Sequence, residues 1–195
     1  YKLEDYTHRY PGCWRCKEEL VFRLVDEWFI SCDEIRPQMI EAARTVRWIP
    51  EHSGKRMEDW LHNMGDWCIS RKRYWGLPLP FYETEDGELF VVGSKGELWE
   101  RAVDPSVVEE LPELHRPWVD EVEIRTPSGK TARRIPEVGD CWLDAGIVPF
   151  STLGYMGEDK RAWERWYPAD FVTEMREQIR LWFYSMLFMS VTLEG

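Results

Sequence analysis

The sequence predicts an α/β fold: a partial parallel sheet, a small hairpin-rich insertion and a Cys-x-x-Cys knuckle. Three observations predict it. Asp170-Phe171-Val172-Thr173-Glu174 reads as a buried strand ending on a carboxylate, with a polar turn and an apolar helix from about Glu177 to Leu193 behind it. Strand, turn and buried helix make the βα unit of a parallel sheet, where ligands bind at the carboxyl ends of strands. Between about Leu77 and Arg134 the pattern changes to short alternating runs separated by Asp86-Gly87 and Pro127-Ser128-Gly129, which are turn signals. Cys13-Trp14-Arg15-Cys16 supplies the knuckle.

Composition sets the class. The 195 residues include 12 Trp, 8 Tyr and 8 Phe and are 44% apolar, enough for a sizeable core in one domain, or one domain with a small appendage, and too much for disorder. The net charge of −11 opposes non-specific nucleic-acid binding, so any RNA contact has to come from a local basic patch. Five Cys with one tight pair suit a reducing, cytoplasmic setting better than a disulfide framework. The longest apolar stretch, Leu181 to Met189, is broken by Ser185 and too short to span a bilayer, and the charged opening is no secretory signal. With no initiator Met, the chain reads as an internal piece of a longer protein.

Along the chain, Leu20 to Ile30 is rich in Val, Phe and Trp and in part a strand. Ile35, Met39, Ile40, Ala43 and Val46 recur at helical spacing, with Asp33 to cap and Pro37 in the first turn. A second helix carries Met57, Trp60, Leu61 and Met64, capped by Ser53 and stopped at Gly65. Asp66 to Ser70 reads as a short buried strand. Pro80–Glu83, Glu88–Val92, the pair Val122 and Ile124, and Thr131–Ile135 are strands of the insertion, and Ser94 with Glu97 forms a capping box.

Four groups of residues can carry chemistry. Cys13 and Cys16 have the spacing of half a zinc site, and zinc wants four ligands, so a bland structural turn and a redox pair stay open beside it; His8 is a weak additional ligand. Arg71, Lys72 and Arg73 with Tyr74 and Trp75 suit a nucleotide or an RNA end, or else form a solvated loop. Glu174, Glu177 and Gln178 could hold an ammonium group or ribose hydroxyls, or simply favour a helix start. Trp142 and Trp182 are core or pocket wall.

Asp66-Trp67-Cys68-Ile69-Ser70-Arg71-Lys72-Arg73-Tyr74-Trp75-Gly76-Leu77-Pro78 resembles the Asp-Trp-Cys-Ile-Ser-Arg-Gln-Arg-Tyr-Trp-Gly-x-Pro signature of isoleucyl-tRNA synthetases, class I aminoacyl-tRNA synthetases. Tyr10 to Cys16, Trp48-Ile49-Pro50-Glu51-His52, Asp140 to Gly146, and Tyr167-Pro168-Ala169-Asp170 with Glu174, Gln178, Arg180, Trp182 and Phe183 resemble further family segments in family order. Met175 and Leu181 stand where the family has glycines, and Glu177 where it has Asp. Pro149-Phe150-Ser151-Thr152-Leu153-Gly154 resembles the valyl enzymes, which makes valine the alternative amino acid; a non-enzymatic zinc-knuckle module binding RNA or protein is the alternative of another class.

The resemblance implies a Rossmann-type catalytic domain in pieces. Residues 1–50 end the editing-insertion region, 51–76 belong to the catalytic domain, 77–135 are a connective insertion, and 136–195 are the second half of the Rossmann-type sheet. It implies aminoacyl-adenylate binding by Glu174, Glu177 and Gln178, an amino-acid pocket walled by Trp142 and Trp182, and phosphate or tRNA contact by Arg71, Arg73 and Trp75. Isoleucine, ATP with Mg and tRNA are the implied substrates and cofactor of a monomeric parent. Zinc at Cys13 and Cys16 needs further ligands upstream. The family's His-Ile-Gly-His and Lys-Met-Ser-Lys-Ser motifs do not occur in this sequence.

Overall fold

A computed structural model describes residues 2–195; Tyr1, the first residue of the 1–50 region, lies outside them. In chain order the elements are β1 (Phe29–Ile30), α1 (Arg36–Thr45), α2 (His52–Asn63), β2 (Trp67–Cys68), β3 (Ser70–Arg71), β4 (Phe81–Thr84) and β5 (Leu89–Val91). Then come α3 (Lys95–Arg101), α4 (Pro105–Glu109), β6 (Glu123–Arg125), β7 (Thr131–Arg134), β8 (Val138–Gly139), α5 (Cys141–Thr152), α6 (Arg161–Trp166) and α7 (Trp182–Glu194).

The first core follows from the helical periodicity. Met39, Ile40 and Ala43 of α1 meet Met57 and Leu61 of α2, and Tyr184, Phe188 and Val191 of α7 close the layer. Neither helix uses its expected cap. Asp33 pairs instead with Arg36 at 2.8 Å, and α2 starts at His52, which puts Ser53 inside its first turn. The Arg36 guanidinium finds another use: it donates to the carbonyls of Leu61 and Met64, both at 2.7 Å, where α2 runs out of amide partners.

The second core lies within residues 77–135, the stretch read from the sequence as an insertion. Its four strands run β5-β4-β7-β6, all antiparallel, with Glu83 opposite both Leu89 and Arg133. Gly87 (φ 84°) and Gly129 (φ 82°) turn the two hairpins, in a conformation that L side chains rarely adopt. Ser94 caps α3 by accepting from the Glu97 amide, while the Glu97 carboxylate reaches back one residue beyond the cap to the Gly93 N–H. The inward side chains are Tyr82, Leu98, Val108, Val122, Ile124 and Ala132.

Burial pushes the Tyr82 hydroxyl up to about 12. The neutral phenol is therefore favoured in the fold, so its stabilisation is complete below pH 10 and is lost as pH rises from about 10 to 12. Alkaline titration followed by circular dichroism should show stability falling in that window. Tyr82→Phe should flatten the fall; an unchanged curve would assign it to another group.

The parallel sheet is the main correction. All strand pairings among the described residues are antiparallel: β1 with β2, β3 with β8, and the four-stranded sheet. Residues 170–174 form no strand. They are irregular and exposed, Phe171 at 75%, because no neighbouring edge among the described residues offers hydrogen bonds to their backbone. The helix expected from Glu177 starts only at Trp182, after a 3-10 turn over Arg176–Arg180. Of the strand expected within Leu20–Ile30, only Phe29–Ile30 pairs, and Phe22 and Leu24 are wholly exposed.

Candidate functional site

Asp140 organises the place where β3, β8 and the starts of α5 and α7 converge. Its amide donates to the Ile69 carbonyl at 2.7 Å, fixing it beside the buried end of the Asp66–Ser70 run. One carboxylate oxygen caps α5 by accepting from the Trp142 amide at 3.2 Å; the other accepts from Arg71 at 2.8 Å and from the Trp67 indole at 3.3 Å. Arg71 also donates to the carbonyls of Cys68 (3.0 Å) and Ser70 (2.7 Å). Sequence reasoning took Arg71 as a contact to ligand, and in the fold its guanidinium is engaged within the chain. Asp140 itself was missed as an organiser, although an Asp directly ahead of a helix is a capping signal.

Beyond Arg71 the chain turns outward. Lys72, Arg73, Tyr74 and Trp75 are exposed, and Lys72 and Arg73 make no ion pair among the described residues. Gly76 closes the loop at φ 151°, where a Cβ would come within 2.8 Å of the Val138 side chain. Trp75 stacks on His115 with ring centroids 5.6 Å apart, and the Arg116 guanidinium lies 5.0 Å from the Tyr74 ring. A shallow groove of about 280 Å³ runs between Lys72, Arg73, Tyr74, Arg116, Pro136 and Glu137.

The two candidate pocket indoles stand on adjacent helices. Trp142 opens α5 and Trp182 opens α7; both are half-buried, and the Trp182 indole donates to the Ala145 carbonyl at 3.0 Å. Gln178 accepts from the Trp182 amide at 3.0 Å, so its side chain caps α7. Glu177 and Glu174 are both exposed. The backbone amide at Glu177 and then Arg176 hold the Glu177 carboxyl below the usual range. Glu174 accepts from the amide of Met175, at 3.3 Å, and lies in the irregular exposed segment rather than at a strand end. Burial first, and then Asp140, raise the Asp144 carboxyl one turn along α5.

Cys13 and Cys16 lie in a tight turn. Gly12 bridges Glu19, Cys13 donates its amide to the Glu18 carbonyl at 2.8 Å, and Lys17 takes φ 68° to close the loop. The amides of Cys16 and then Arg15 lower the Cys13 thiol below its ordinary value, which favours the thiolate that a metal would require. Two thiols fit half of a tetrahedral set, and no group of three or more His, Cys, Asp and Glu that could hold a metal occurs among the described residues. The His8 ring stacks on Tyr6 and bonds the Arg9 carbonyl.

A family model described as tRNA synthetases class I (I, L, M and V) matches residues 13–195. Curated relatives named isoleucine–tRNA ligase align over nearly all of the chain. The protein of Methanopyrus kandleri is 44% identical over 94% of the chain, that of Archaeoglobus fulgidus 43% over 96%, and that of Chlamydia trachomatis 40% over 95%. The chain spans 18% of the length of each. Among the described residues no helix is long and apolar enough to cross a membrane.

Proposed function

Since this chain belongs to the class I tRNA synthetases (I, L, M and V), we propose that it is part of an isoleucine–tRNA ligase, which joins isoleucine to the AMP part of ATP as an adenylate with release of pyrophosphate, and then passes the acyl group to tRNA with release of AMP. The observation that carries this is the alignment of 94–96% of the chain with relatives of that name at 43–44% identity. Those names favour isoleucine over the valine suggested by Pro149 to Gly154. The −11 charge disfavours a free-standing RNA-binding module.

Within that reading each residue has a stated task. Trp142 and Trp182, on the first turns of adjacent helices, wall a pocket for a branched aliphatic side chain. Glu174 and Glu177 are open to solvent ahead of α7, Glu177 beside Arg176, and their remaining carboxylate lone pairs accept from an ammonium group or ribose hydroxyls, while Gln178 sets the start of that helix. Arg73 and Trp75 are offered to tRNA, with Arg71 as the anchor of their loop. In the parent, 136–195 would belong to a Rossmann-type sheet, 77–135 would be its connective insertion, and Cys13 with Cys16 would give half of a zinc site whose other thiolates come from elsewhere. No residue here is assigned to Mg, which would accompany ATP. The parent is read as a cytoplasmic monomer.

Adenylate formation relies on positioning and on stabilising charge that develops on phosphate. The phosphate-binding motifs are absent from this sequence, so the isolated chain should give no isoleucine-dependent ATP–pyrophosphate exchange above background. The full-length protein should give it with isoleucine in preference to valine. Preference for valine would overturn the amino-acid assignment, and exchange by the isolated chain would place the phosphate chemistry inside these residues.

A further inference from the structure

The insertion does more than hang from the rest of the chain. Arg116, from its loop ahead of the Trp118–Glu121 turn, reaches out to the Lys72–Trp75 loop. Its guanidinium covers the Tyr74 ring at 5.0 Å and donates to the Pro136 carbonyl at 2.8 Å and the Arg73 carbonyl at 3.5 Å. The next residue back, His115, stacks on Trp75 with the rings 17° from parallel. Arg116 is held in turn by Asp120, which accepts its Nε at 2.7 Å. Asp120 is itself fixed by Arg134, whose side chain is only 1% exposed and donates to the carbonyls of Leu79 (3.2 Å) and Glu137 (2.9 Å). One carboxylate thus links two guanidiniums, and through them both connecting segments, at Leu79 and at Pro136–Glu137, that join the insertion to the rest of the chain.

We propose that Arg116, held by Asp120, is a positioning residue that braces the Lys72–Trp75 loop so that Arg73 and Trp75 are presented to tRNA in one arrangement. The proposal rests on the synthetase reading above. An exposed loop with two unpaired cations would otherwise sample many conformers, and each ordered side chain would cost entropy at the moment of binding. A brace built from the insertion prepays that ordering, and it does so through contacts that do not touch the ligand.

The test uses the full-length synthetase with Arg116→Ala, Arg116→Lys, and Arg133→Ala as a control. Arg133 is an exposed cation of the same insertion that pairs with Glu123 away from the loop. Hydrogen exchange at the Arg73 amide, which donates to the Arg71 carbonyl at 2.9 Å within the loop, and the kinetics of aminoacylation are both read. In Arg116→Ala, loop exchange and the KM for tRNA should each rise about tenfold, with kcat and isoleucine-dependent pyrophosphate exchange held within about twofold. Amides of α2 and β7 should keep their protection, which separates loosening from unfolding. Arg116→Lys retains a cation over Tyr74 and one donor, and should fall between; Arg133→Ala should change nothing. Unchanged loop exchange overturns the brace whatever the protein's activity. Faster exchange with an unchanged KM overturns the loop's part in tRNA binding. Absence of aminoacylation by the unsubstituted protein overturns the reading beneath the proposal, while loop exchange still reports separately on the brace.

Discussion

Asp140→Ala should lower stability by roughly 2–3 kcal/mol, because one side chain serves three partners. Loss of the cap on α5 alone costs about 1 kcal/mol. Breaking a fully buried ion pair costs about 3–5 kcal/mol, but the Arg71 side chain is 36% exposed against 7% for Asp140, so part of that penalty is relieved by water. The Trp67 indole N–H also loses its acceptor. Asp140→Asn keeps the capping oxygen and should cost about half as much. Urea unfolding followed by tryptophan fluorescence reads both. A midpoint unmoved by the Ala change would mean that α5 and the Arg71 loop are held without Asp140.

Gly146→Val should be of comparable effect, through packing alone. Gly146 lies where α5 crosses α7, and a Cβ there would sit 2.8 Å from the Ser185 carbonyl oxygen and 2.9 Å from its carbon. Those are backbone atoms of the facing helix, so relief requires the helices to part, disturbing the Trp182 bond to Ala145 next door. Overpacking of this kind costs about 1–3 kcal/mol, and Val gains little helix propensity to offset it. Ala has the same first clash but recovers about 1 kcal/mol of propensity over Gly, so it should be milder. Val should lower the melting temperature by roughly 2–12 °C, at 2–4 °C per kcal/mol for a chain of this size. Equal melting of Val and wild type would show that the two helices separate freely.

The parts of the fold legible in the sequence are those whose cause is local. The α1 and α2 stripes of Met39, Ile40, Met57 and Leu61 face the core as their 3.6-residue spacing demands. The Asp86-Gly87 and Ser128-Gly129 turns, and Ser94 with Glu97, fix their own backbones within four residues. What failed was non-local. Asp170 to Glu174 has the apolar content of a strand, but a strand exists only where another strand pairs with it, and none of the described residues does so. The helix after it lost its first turn for a related reason: Glu177 and Arg176 are engaged in a 3-10 turn, and Gln178 spends its side chain on the amide of Trp182. At the site, residue types were legible and partners were not. Arg71 reads as a ligand contact until the fold brings Asp140 against it, 69 residues away in sequence.

The way the insertion is attached has a consequence for how such proteins can vary. The segments at either end of it are neighbours: the Leu79 amide bonds the Glu137 carbonyl, Pro78 bridges Val138, and β3 pairs with β8 just outside. A segment that leaves and returns through one doorway exerts no leverage on its host, because the span it must bridge is fixed whatever its length. It can be swapped, shortened or enlarged as a cassette while the frame of α1, α2 and α7 is left undisturbed. What a replacement cassette must reproduce is narrow: a guanidinium over Tyr74, an aromatic ring against Trp75, and an anchored carboxylate behind them.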